Sequence, residues 1–175
     1  TMFLQMSFVH SLIMPRNNLT SILTSKMPQL SIQNLRYLTE LNLSGNKLVS
    51  LPIQVGAMKN LTSMNLSENN IFRLPYSIRE MNSLTTLDLS KNNFSQLGDD
   101  LQYARRIANL DLSKNLFRDI PVSLIHMSEL RSLNMSFNML FHMAVTPKYL
   151  TQDDMWVKSV NLPDGSDVYL NILTR

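Results

Sequence analysis

The chain contains no cysteine, only four glycines and three histidines among its 175 residues. Without cysteine there is no disulfide framework, no thiolate nucleophile and no thiolate metal site. The four glycines are scattered and form no phosphate-binding loop. The histidines, His10, His126 and His142, fall away from the serine and aspartate positions described below, so no Ser-His-Asp set assembles. No apolar run approaches the ~18 residues of a membrane-crossing helix. The net charge of +3 is mild and no basic run or basic-aromatic cluster accompanies it, so nucleic acid is not an expected partner. These absences leave no catalytic residue, metal ligand or cofactor to nominate, and an enzyme is not expected.

What the chain does have is a repeat. Asn46, Asn69, Asn92, Asn115 and Asn138 stand 23 residues apart, each closing one phrase: LTELNLSGNKL, LTSMNLSENNI, LTTLDLSKNNF, IANLDLSKNLF and LRSLNMSFNML. Apolar residues alternate within it, as in a strand buried on one face. The inward pairs are Leu41/Leu43, Met64/Leu66, Leu87/Leu89, Leu110/Leu112 and Leu133/Met135. Strands are expected near 41–43, 64–66, 87–89, 110–112 and 133–135, stacked parallel at about 4.8 Å. A buried asparagine after each strand can satisfy backbone groups that the bend leaves unpaired, so the ladder is expected to be structural.

The rest of each repeat adds further apolar columns: Leu48, Ile71, Phe94, Phe117, Leu140; then Leu51, Leu74, Leu97, Ile120, Met143. Pro52, Pro75 and Pro121 follow, and proline suits the start of a short helical or 3₁₀ turn. Gly98 takes the proline's place in one repeat, where a different turn is expected. An earlier copy runs from Leu12 to Leu19, with a strand near 12–14 and Asn17 as its ladder residue. Asn17 lies 29 residues before Asn46, so this repeat is longer, with the extra length near 24–34. Phe3 and Met6 match the Val55 and Met58 columns. Either the chain begins inside another repeat of a longer array, or residues 1–8 form an irregular apolar cap. The array is expected over 1–150. Residues 151–175 read as a β-hairpin around Pro163-Asp164-Gly165-Ser166, as a C-terminal cap or as the start of a following segment.

The strand phrase, the period and the Leu-Pro-x-x-Ile ending resemble leucine-rich repeats, in particular the intracellular Ras-group and Scribble-type scaffolds. That resemblance implies an α/β fold: a right-handed solenoid, or horseshoe, with a parallel concave sheet and short helical or 3₁₀ turns on the convex side. It also implies protein binding on the concave side. Secreted relatives usually carry disulfide-bonded caps, so the lack of cysteine favours a cytoplasmic chain. Against this stand sequons at Asn18, Asn42, Asn60, Asn65, Asn93 and Asn134, three of which follow from the strand phrase itself. Extracellular location is the alternative.

Outward strand residues form columns in which a partner is expected to bind. The central column contains Asn42, Asn65, Asp88, Asp111 and Asn134. Arg16, Glu68, Lys91, Lys114 and Phe137 form a more variable one, and Glu40 and Asn109 lie on the other side. Asp88 and Asp111 would oppose like charges on neighbouring strands. A basic partner group, screening by Lys91 and Lys114, or a cation would offset this. Phe137 is either an exposed anchor or packs under the C-terminal segment. The expected function is a protein–protein interaction module, monomeric or weakly dimeric. The alternatives are the recognition arm of a multidomain signalling enzyme, or a receptor ectodomain.

Overall fold

The computed structural model describes residues 9–22, 37–140, 155–161 and 167–172. Strands β1 (Ser11–Ile13), β2 (Glu40–Asn42), β3 (Ser63–Asn65), β4 (Thr86–Asp88), β5 (Asn109–Asp111) and β6 (Ser132–Asn134) form one parallel sheet in chain order. The register has no stagger: Leu12, Leu41, Met64, Leu87, Leu110 and Leu133 are successive partners. Each strand starts one residue before the span read from the sequence. The ladder opens early because one carbonyl takes two amides. Thr39 O, for example, accepts both Thr62 N–H and Ser63 N–H.

Opposite the sheet lie four five-residue 3₁₀ turns, Ile53–Ala57, Tyr76–Glu80, Asp99–Tyr103 and Val122–His126. Twenty-three residues per repeat leave room for nothing longer. Pro52, Pro75 and Pro121 precede three of these turns in extended backbone. Gly98 precedes the fourth at φ −69 and ψ 155, within a few degrees of Pro52 and Pro75. The different turn expected there does not occur, because the stacked neighbours dictate the backbone whatever the residue.

The core fills the space between sheet and turns. The inward strand pairs, the Leu48–Leu140 column and the Val55, Ile78, Leu101, Leu124 column are all buried. Each such side chain contributes about 1.5–3 kcal/mol by leaving water. Leu74, Leu97 and Ile120 are only partly buried and pack against that core. Gly56 has no room for a side chain, since a Cβ there would lie 2.6 Å from Ser77 O in the adjoining turn. Beyond the array, β7 (Met155–Asn161) and β8 (Asp167–Ile172) pair antiparallel, and β7 lies beside β6. Phe3, Met6, the extra length near 24–34, His142, Met143 and the 163–166 turn lie outside the described residues.

Candidate protein-binding face

Three polar ladders hold the sheet and decide which side chains remain available. The first is the asparagine ladder. Asn92 Nδ2 donates to Leu89 O and Ser90 O of its own repeat and to Leu66 O of the one before. Its Oδ1 accepts Ile71 N–H from that earlier repeat at 2.9 Å. Asn46, Asn69 and Asn115 do the same, and Asn138 keeps most of the pattern. Asn17 differs: it is exposed, and its side-chain amide donates only to Pro15 O among the described residues, while its backbone N–H donates to Asn46 Oδ1.

The second ladder is the central outward column. Asn42, Asn65, Asp88, Asp111 and Asn134 each accept, through Oδ1, the backbone N–H two residues on. These closed Asx turns lead the chain out of the strand. They also tie up one oxygen of every residue in the column. The in-register Asp88 and Asp111 are therefore offset by backbone donors, and Asp111 Oδ2 accepts a further bond from Asn134 at 2.9 Å. Neither lysine pairs directly with these aspartates among the described residues. Lys91 Nζ donates to Glu68, and Lys114 Nζ lies over the Phe137 ring at 5.3 Å. Among the described residues, no group of three or more metal-ligating side chains assembles.

The third ladder was not legible beforehand. Thr39, Thr62 and Thr85 each pass a hydroxyl bond to a carbonyl of the preceding repeat, at His10, Thr39 and Thr62. It ends where Ala108 and Arg131 take the threonine's place. A threonine beside a strand reads as ordinary β propensity, so only its recurrence at the 23-residue period could have marked it. Ser113 and Ser136, whose backbone N–H groups close the turns at Asp111 and Asn134, are buried.

The variable column has an unexpected backbone. Arg16, Glu68, Lys91, Lys114 and Phe137 all have φ between 53 and 57, in the left-handed region. Gly45 shares the column at φ 66, and the stem of Arg16 crosses it where a Cβ would sit 2.7 Å from Arg16 Cγ. A left-handed residue with a side chain costs about 1–2 kcal/mol relative to the usual regions. Five side chains are thus held at the sheet's edge at a cost to stability, and all five are exposed. Phe137 is 61% exposed. Among the charges here, the Lys91 hydrogen bond and the Lys91 charge hold the Glu68 carboxyl below its ordinary range, with smaller help from Arg16 and Lys114. On the opposite edge, Glu40 accepts the Ser11 hydroxyl, and Asn109 reaches Thr86 at 3.4 Å.

Two exposed residues belong with this edge and were not singled out from the sequence. Leu116 and Met139 follow the ladder asparagines, where other repeats carry Lys47, Asn70 and Asn93. The signal was an apolar residue in a column that is otherwise polar.

Stacked strand-and-turn units, joined by an asparagine ladder and presenting repeated outward columns, define a solenoid repeat protein. The leucine rich repeat family model matches residues 36–94 and 82–140, together more than half of the chain. The chain belongs to the leucine-rich repeat family, whose domains are generally protein-interaction modules. No curated protein matches it. Among solved structures it is similar to a leucine-rich repeat protein of Leptospira interrogans, at 23% identity and a TM-score of 0.62, over 90% of this chain and 46% of that one. It is also similar to the functional domain of InlJ from Listeria monocytogenes, which includes a cysteine ladder. There the identity is 22% and the TM-score 0.65, over 82% of this chain and 29% of that one. The chain thus spans less than half the length of either.

Proposed function

We propose that the chain is a protein-interaction module that engages a partner protein across its concave strand face and the adjoining left-handed column. The observation that carries this reading is the strained, exposed set Arg16, Glu68, Lys91, Lys114 and Phe137. Gly45 fits the same backbone without that cost, and the Glu68–Lys91 pair is exposed, so folding alone gives little return for these side chains. Glu40, Asn42, Asn65, Asp88, Asn109, Asp111 and Asn134 supply the polar floor beside them. Absence of cysteine supports a cytoplasmic setting. The position of β7 beside β6 supports a capping role for residues 151–175.

The rival surface is convex, where Val49, Ile53, Phe72 and Tyr76 are exposed on two adjacent repeats. Site-specific photocrosslinking separates the two. A benzophenone side chain at position 65 or 137 is expected to give covalent adducts with a partner in cells, and one at position 76, on a convex turn, none. Adducts from position 76 alone would sink the concave reading.

A further inference from the structure

Two columns on the C-terminal edge of the strands change character together along the solenoid. The left-handed column runs Arg16, Gly45, Glu68, Lys91, Lys114, Phe137. The column after the ladder asparagines runs Lys47, Asn70, Asn93, Leu116, Met139. Towards β1 the two columns present Arg16 and Lys47. Towards β6 they present Phe137, Leu116 and Met139, which are 61%, 40% and 46% exposed. Leu116 and Met139 occupy equivalent positions in consecutive repeats, each fixed by a backbone bond to the repeat before, at Phe94 O and Phe117 O. Neighbouring apolar side chains on an otherwise polar face mark a contact surface, where a single one would not.

The charges have a matching gap. Lys91 is taken by Glu68. The Asp88 and Asp111 carboxylates accept bonds from Ser90, Ser113 and Asn134. Arg16, Lys47 and Lys114 make no ion pair among the described residues. Two of these cations, Arg16 and Lys47, lie towards β1, and the third, Lys114, stacks over Phe137 at the apolar end.

We infer that this rim binds an extended acidic-and-apolar segment of a partner protein. Its carboxylates face Arg16, Lys47 and Lys114, and its apolar side chains rest on Phe137, Leu116 and Met139. The inference rests on the protein-binding reading above and narrows its partner. Five interstrand steps of ~4.8 Å span about 24 Å, the length of roughly seven extended residues. The segment lies across the strands, with carboxylates over Arg16 and Lys47 towards β1 and its apolar side chains towards β6, where one further carboxylate meets Lys114. A basic segment would meet the unpaired cations, and a wholly acidic one would leave the apolar end bare.

The probe is a phage-displayed library of random dodecapeptides selected on the intact chain. The best peptide is then synthesised and titrated by fluorescence anisotropy. Enriched peptides are expected to combine Asp or Glu with Phe, Leu or Met. Lys114→Glu and Phe137→Asn should each weaken binding at least tenfold with thermal melts unchanged, since asparagine tolerates the left-handed backbone. Replacing the acidic residues by lysine should restore binding to Lys114→Glu, and added salt should weaken the wild-type complex. Basic peptides, peptides indifferent to both variants, or no enrichment at all would overturn the inference. If binding falls instead with Asn109→Arg, the rim is wrong and the concave reading stands. If only Tyr76→Ser weakens it, both fail.

Discussion

Lys91 shows how one residue serves two competing demands. Its backbone is left-handed at φ 53, and its ammonium reaches Glu68 on the neighbouring repeat. Alanine there would keep the strain and lose the ion pair, whereas glycine would lose the pair and the strain together. Lys91→Gly is therefore expected to be more stable than Lys91→Ala by about 1 kcal/mol in urea denaturation, the reverse of their order in a helix. The same pair sets a pH dependence. Glu68 titrates below its ordinary 4.5 in the folded chain. Its stabilising effect is thus fully present above that ordinary value and is lost as pH falls through the depressed one. A carbon-13 titration should place the Glu68 midpoint below 4.5, and Lys91→Gln should move it upward. The left-handed column was the least legible feature of the sequence. Lysine, glutamate and phenylalanine carry no local mark of that conformation, and Gly45 alone hinted at it.

At the scale of the element, the repeat is a strand, an asparagine bend and a 3₁₀ turn, each completed by the repeat beside it. Asn92→Ala would strand Ile71 N–H in a buried place, while the carbonyls of Leu66 and Leu89 would each keep one bond, from Asn69 and Asn115. The expected loss is about 1–3 kcal/mol, the cost of an orphaned buried group. Asn17→Ala removes only an exposed amide contact and should cost under about 1 kcal/mol; equal losses at both positions in a denaturant titration would refute the ladder. Gly98 already has proline's backbone, and a Cβ there meets nothing within 4 Å. Gly98→Pro should therefore raise stability by about 0.4–1 kcal/mol in thermal melts. The elements themselves were readable because inward leucines at a fixed period leave one way to fold. Gly98 was misread because its neighbours in the stack, not its own preference, set the turn.

Across the whole molecule, the residues that fill the core and those proposed to bind fall on different faces of the same strands. Inward residues such as Leu89 are fully buried, while Lys91 and Phe137 lie at the exposed edge. Leu89→Ala is expected to cost about 2–5 kcal/mol. The outward columns were readable by counting from the inward ones. Their use was not, because a polar residue that closes an Asx turn and one that meets a partner look alike in sequence. Asn65 and Asp88 illustrate this, with one oxygen already committed to the backbone. The most direct test of this division is a quantitative capture from native lysate with wild type, Lys114→Glu/Phe137→Asn and the convex control Tyr76→Ser, each checked for an unchanged melt. Partners lost with the double variant and kept by the control are the predicted result. Partners kept by the double variant and lost with Tyr76→Ser would contradict it.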